Sequence, residues 1–576
     1  MEENRVVQGT DKLTTLEEAI AAHVRPGMTV HIETRARAAN RALTRAFWGT
    51  KPDFTLCMVR LGAGHGVPLV FGGLTKRIIT GGYSDQYPSV APIKFIQEAY
   101  KNGIEFENWS LCGYISRMKA GALGTGFIPT KSMIGTTMEI ENSDVFKVVD
   151  DPFGSGKRVG LLKALNPNVS FVHADAVDGQ GNAIFLPPWE EGLWGAKASK
   201  GVIVTAEKLV SQEFIKEHSF LVKLPGTMVK AVVHAPFGSH PGVFSNLGLS
   251  EFNRYGLDRD FLLDHRAALQ GGHDAYGQWV KDWIIDVRNH EEYLAKVDAK
   301  YGPSHVDSLH SVSASEEGQE GGGAKSEGQA LAGGFNATEM MVAAGGRIMA
   351  EKAMKNGYQH IQPGIGTGAL AAFVAYHLTH EAGHRTELVV GTGFYGFVPR
   401  PSTLRSEDDC KMLTDTLEMY SVFIGGETVK SIVALGAGQI DKHGNLNSTR
   451  TKDGLLLAGV GGSNDAANAR EVVVIARQSS RRFVDEVSYI TVPGTRITTL
   501  VSNMGVYEKN GDGELVLTQY FAKGGDTSAD DCIREVKEQC GWDLKVAPGV
   551  RAADLPTTHE LEIMRYLDPR GDFLGR

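Results

Sequence analysis

Ser170–Ala183 reads SFVHADAVDGQGNA and Ser431–Asn447 reads SIVALGAGQIDKHGNLN. Each is an apolar, strand-like run that ends on an Asp-x-x-Gly-Asn turn. The turn is Asp178, Gly181 and Asn182 in the first stretch and Asp441, Gly444 and Asn445 in the second, 263 positions on (441 less 178). Two more pairs keep the order: GVIVTAE with EVVVIAR, 270 apart at Ala206 and Ala476, and VVHAPFG with SYITVPG, 257 apart at Pro236 and Pro493. Chance supplies one such pairing; three at a nearly constant offset predict a duplicated fold. Outward from these stretches, β-branched runs (MTVHIE, FTLCMVR, RIITGGY, ELVVGTG) alternate with amphipathic segments (LEEAIAAHV, TEMMVAAGGRIMAEKAM). That alternation predicts βαβ units: two related, open, mostly parallel α/β sheets whose ligands sit at the carboxyl ends of the strands.

Between the two halves, Asp307–Gly334 reads DSLHSVSASEEGQEGGGAKSEGQALAGG, almost without large apolar side chains. Burial there cannot offset the entropy of ordering, so we expect a flexible tether. The expected organisation is a domain at 1–306, the linker 307–334 and a domain at 335–576. Within the first domain, 250–297 has helical spacing with Phe, Leu, Trp and Ile on one side. It is expected to pack as core, or against the other half as a cap.

The 576 residues are 42% hydrophobic and 22% charged, with a formal net charge of −9. These proportions exclude global disorder and a basic field for nucleic acid. The most apolar run, 364–378, is shorter than the ~20 residues a membrane helix needs. The five cysteines form no CxxC, and with the polar N-terminus they predict a soluble, cytoplasmic protein without disulfides. His380-Glu381-Ala382-Gly383-His384 matches H-E-x-x-H, but Gly383 ends the helix that zinc ligation requires, so no metal is expected.

Several segments carry a resemblance: ALNPNVSFVHADAVDGQGNA, HAPFGSHPGVF (234–244), GVGGSNDAANA (459–469) and the final LPTTHELEIMRYLDP. Together they resemble family I CoA-transferases, the first half their α subunit and the second their β subunit. The chain is also similar to the heterodimeric steroid-ring-opening CoA hydrolase of that superfamily. The resemblance implies an acyl-CoA thioester as substrate, no bound cofactor, and a homo-oligomer. Transferases of the family carry a nucleophilic Glu at the strand end matched here by GTGFYGFVP, where it falls on Gly391. Glycine has no nucleophile, so the resemblance implies a CoA pocket without ping-pong transfer: a hydrolase or lyase, or else a transferase using another carboxylate, or a binding protein on the same scaffold.

Three groups of candidate site residues follow. Thr392 and Gly393, beside Gly391, offer backbone N–H groups to a thioester oxygen. Gly364, Gly366, Thr367 and Gly368 open one helix, and Gly459, Gly461, Gly462, Asn464 and Asp465 lead into another, with Asn464 or Asp465 as cap. Both loops suit a CoA phosphate or oxyanion, although tight strand–helix packing also explains such glycines. In MTVHIETRARAANRAL (28–43), His31 and Glu33 share one face and are candidate bases, while Arg35, Arg37 and Arg41 are candidates to grip a substrate carboxylate. Glu107, beside Trp109, is a third candidate base, with a solvated turn residue as the plainer reading; His240 is read equally as functional or as loop packing.

Overall fold

The structure, a computed structural model, describes residues 11–62, 65–85, 91–189, 191–311, 330–331, 334–401, 409–523 and 527–576. The first half is built on seven parallel strands: β1 (Thr29–Ile32), β2 (Phe54–Met58), β3 (Thr75–Thr80), β4 (Glu105–Asn108), β5 (Val169–Val177), β6 (Val202–Leu209) and β7 (Val229–His234). They lie in the order 4-3-2-1-5-6-7. Strand order therefore reverses between β1 and β5, the position where open α/β sheets leave a crevice for ligands. β5 is buried along its whole length, as a strand covered on both faces must be.

The second half repeats the plan. β8 (His360–Gln362), β9 (Glu387–Val390), β10 (Phe394–Phe397), β11 (Ser431–Leu435), β12 (Glu471–Ile475) and β13 (Thr499–Val501) lie in the order 10-9-8-11-12-13. All are parallel except β10, which returns antiparallel on β9. Here the order reverses between β8 and β11. Two helices cover this sheet. Ala337–Asn356 starts on an Asn336/Glu339 capping box and stops at left-handed Gly357; Thr367–Glu381 starts at Gly366.

The duplication extends to single hydrogen bonds. Asp178 Oδ1 accepts from the N–H of Gln180 and of Asn182, its Oδ2 accepts from Asn182 Nδ2, and Asn182 Oδ1 accepts from Gly226 N at 2.9 Å. Asp441 Oδ1 accepts from His443 and Asn445, its Oδ2 from Asn445 Nδ2, and Asn445 Oδ1 accepts from Gly494 N at 2.7 Å. The third sequence pairing is corrected by this geometry. The partner of Pro493 is Pro225, not Pro236: each precedes a 3₁₀ turn, Gly226–Met228 or Gly494–Arg496, whose first N–H donates to the Asn side chain.

The 250–297 segment forms helices Arg259–Gln270 and Gly272–Val280, a π-helical turn Lys281–Ile285, and helix His290–Tyr301. Its aromatic side stacks on the first half, with Tyr276 against Phe95 and Phe71. From the second half, Leu456 joins that cluster. The chain stays ordered past 307: Ser308 lies in a helical turn and Leu309 is buried. Most of the expected tether, 312–329 and 332–333, lies outside the described residues.

Candidate functional site

The halves meet through the loops at the carboxyl ends of their strands and share a hydrophobic core: Trp109, Tyr114 and Met118 pack in one cluster with Val389, Tyr420 and Val433. The glycine-rich run 459–462 forms much of the seam. Gly461 N donates to Gly81 O at 2.7 Å, Tyr83 N to Ala458 O, and Leu111 N to Gly461 O. Gly459, at φ 96°, lies so close to Gly82 that a β-carbon would stand 2.5 Å from its Cα. Asn464 and Asp465 are not caps. They sit inside the four-residue helix Ser463–Ala466, whose N-cap is Gly462, and reach across to the first half. Asn464 Oδ1 accepts from Met133 N at 2.7 Å. Asp465 accepts from Ser132 Oγ at 2.6 Å and from Cys112 N at 2.9 Å. Burial pushes the Asp465 carboxyl up to about 6. Gly364 packs against Ala434 O, and Gly366, Thr367 and Gly368 lie at the start of their helix.

β9 ends at Val390, and Gly391-Thr392-Gly393 turns the chain into β10. Gly393 N donates to Val390 O, and Thr414 N donates to Gly393 O. Pro188, from the first half, packs against Gly393. The volume that a side chain on Gly391 would occupy is filled: a β-carbon there would stand 2.0 Å from Tyr420 Cζ and 2.2 Å from its hydroxyl oxygen, and one on Gly462 would meet the same hydroxyl. Tyr420 comes from the π-helical turn Met419–Ile424, an irregularity frequent at functional sites. The residue is 8% exposed. Burial, then the nearby Asp465 and Cys112, raise its pKa, so it is a protonated O–H donor at neutral pH. TDTLEMYSVFIGG carries no motif that singles out this residue; what distinguishes it is two separated glycines that touch one ring.

At the crevice of the first half, Glu33 follows β1 with both oxygens engaged: Arg35 Nε donates at 2.7 Å and His173 N at 3.0 Å. His31 and Glu33 do share a face, packed against Gly195 and Gly192. His31 is hydrogen-bonded to Ser170 Oγ at 2.7 Å, and burial lowers its imidazole to about 3, so it is neutral. The arginines separate. Arg35 remains by Glu33, whereas the Arg37 guanidinium lies against Gly242. Arg41 donates to His240 O at 2.9 Å and stacks 3.7 Å over the Tyr293 ring, tying down the helical segment rather than lining the crevice. His240 itself is buried between Tyr293 and Asp258. Glu107 is no solvated turn residue: it is buried, accepts from Trp109 Nε1 at 2.7 Å, and is clamped by Arg77 and Arg117.

The crevice also holds a residue not anticipated from sequence. Asp175, on β5, is fully buried; its Oδ2 accepts from Leu186 N at 2.9 Å and lies 4.0 Å from Arg35, and its Oδ1 has no hydrogen-bond partner. Burial pushes this carboxyl up to about 7, Arg35 opposing. The folded chain thus retains a proton that the unfolded chain releases between about pH 4 and pH 7, and this group's contribution to stability declines across that window as pH rises. Asp175→Asn is expected to be more stable than the parent at pH 8 by about 2–4 kcal/mol, an advantage that fades toward pH 4. Urea melts at the two pH values check it.

His380 bonds Thr386 and His384 bonds Tyr358 O, so the H-E-x-x-H residues close a helix–strand junction. No metal-holding cluster occurs among the described residues, and no described helix is long and apolar enough to cross a membrane.

Residues 13–235 match the family model for coenzyme A transferase. The chain is 27% identical to the A-type subunit of glutaconate CoA-transferase from Acidaminococcus fermentans over 312 residues, 50% of this chain and 92% of that relative. It is also 29% identical to the B-type subunit of 3-oxoadipate CoA-transferase from Pseudomonas knackmussii over 262 residues, 41% of this chain and 94% of that relative. An acyl-CoA transferase from E. coli O157:H7, solved as a thioester complex with CoA, superposes with a TM-score of 0.64 at 16% identity. That match covers 98% of this chain and 97% of the other, a likeness of fold. The first half is thus similar to A-type subunits and the second to B-type subunits of coenzyme A transferases, and the whole chain shares their fold.

Proposed function

We propose that this chain fuses an α-type and a β-type half into one acyl-CoA-processing enzyme that cleaves its substrate by adding water, as a hydrolase or lyase, instead of passing CoA through a glutamyl thioester. The reading is carried by the Gly391 position, where the strand end has no carboxylate and its space is taken by a phenol. Covalent transfer needs a nucleophile at the thioester carbon, and a buried, protonated phenol is a hydrogen-bond donor rather than an attacking group. Among the candidate bases, His31 is walled in and Glu107 is clamped by two guanidinium groups, whereas Glu33, just past β1, is paired with one, that of Arg35.

A second reading has its own observation. Asp415 adjoins the Thr414 carbonyl that meets Gly393, and burial raises its carboxyl, so a transferase using Asp415 is the alternative. Incubation with acetyl-CoA, then borohydride, then intact-mass measurement separates the two. The hydrolase or lyase shows no reduced enzyme adduct; a reduced carboxylate supports the transferase and overturns the proposal. Failure of both CoA and acetyl-CoA to bind at millimolar concentration in calorimetry overturns both. Glu33→Gln with undiminished turnover would remove Glu33 as base.

A further inference from the structure

The Tyr420 hydroxyl occupies a coupled position. Gly391 ends the turn after β9, Gly462 lies in the seam between the halves, and each is in contact with the same phenol. Gln362, the last residue of β8, is beside the hydroxyl, and β8 flanks the point where strand order reverses. Two loops and the end of a strand therefore converge on one O–H group.

Resting on the acyl-CoA reading above, we propose that Tyr420 is a catalytic hydrogen-bond donor that takes the place of the missing carboxylate: its phenolic O–H binds the thioester carbonyl oxygen and stabilises the oxyanion formed when water adds. In the thioester case the water oxygen bonds to the carbonyl carbon, the C–S bond breaks, the CoA thiolate leaves and takes up the proton lost by water, and Tyr420 keeps its own proton throughout. No acyl-enzyme forms. Burial keeps the phenol protonated for this role. The same ring excludes any side chain at Gly391, so the donor and the loss of the nucleophile are one structural fact.

The test uses acetyl-CoA labelled with ¹³C at the carbonyl, bound to the full chain and to Tyr420→Phe, and read by difference infrared spectroscopy with calorimetry on the same samples. The expected result is a carbonyl stretch at lower frequency in the parent than in Tyr420→Phe, with acetyl-CoA affinity within about threefold, since one neutral hydrogen bond to a ground-state carbonyl contributes little net binding. Identical carbonyl frequencies in the two proteins overturn the donor role and leave the acyl-CoA reading standing. No acetyl-CoA binding to the parent overturns the reading on which it rests. Since the variant removes one oxygen and retains the ring, circular dichroism and the melting temperature are expected to match the parent, and a Tyr420→Phe protein that melts far below it identifies the hydroxyl as structural and also overturns the proposal.

Discussion

Gly391→Glu alone is expected to yield a protein destabilised by about 3 kcal/mol or more, without a trappable intermediate. A β-carbon at this position clashes with the hydroxyl end of the Tyr420 ring, and the ring has no space to retreat into: Gly462 backs its hydroxyl and Asp465 and Cys112 lie nearby. Overpacking of a tight core commonly costs about 1–3 kcal/mol, and here a charged carboxylate is also forced into a buried site. Combining Gly391→Glu with Tyr420→Ala vacates the ring, and the glutamate then has space at the strand end where the resemblance expects a nucleophile. The double variant is expected to regain most of the lost stability. On incubation with acetyl-CoA and reduction with borohydride it is expected to show a reduced glutamate by peptide mass mapping. Urea unfolding curves read the first effect. A single Gly391→Glu variant as stable as the parent would mean that the ring does not occupy this space, and the account of the site would fail.

The fold was legible because its evidence is local and periodic. Apolar runs such as SFVHADAV and SIVAL announce strands buried on both faces, and the Asp-x-x-Gly-Asn turns that follow reappear with matching hydrogen bonds. The mispairing of Pro493 with Pro236 shows the limit of that reading. A Pro beside an apolar run looks alike wherever it falls, whereas the true counterpart is fixed by an Asn side chain that reaches a distant Gly N–H. The site was less legible for the same reason. Charges at a strand end are conspicuous in sequence, yet they do not stay together: Arg35 pairs with Glu33, whereas Arg37 lies against Gly242 and Arg41 stacks over Tyr293. Glu107 lay in a segment suggesting a solvated turn, and only tertiary contact supplies Arg77 and Arg117. Tyr420 has no local signature, since its contacts depend on two glycines brought together by folding.

Asp465 gives the sharpest separation between a ligand residue and a structural one. If its carboxylate serves CoA, removing it weakens binding and leaves the fold alone. Its contacts argue otherwise: one oxygen accepts from the Ser132 hydroxyl and the other from Cys112 N, both across the seam, and the side chain is enclosed. Asp465→Ala leaves two buried donors without an acceptor, each costing about 1–3 kcal/mol, so a loss of roughly 2–6 kcal/mol is expected. The dependence on pH strengthens the test. Folding raises this carboxyl to about 6, so the parent's stability from this group is greatest below about pH 4 and declines as pH rises to 6. The alanine variant has no such group, and its deficit is therefore expected to be larger at about pH 4.5 than at about pH 8. Because the lost bonds couple the halves, calorimetry is expected to show the unfolding transition broaden or divide. An Asp465→Ala protein that melts like the parent at both pH values, yet binds CoA more weakly, would return this residue to the ligand set and place the seam's strength elsewhere.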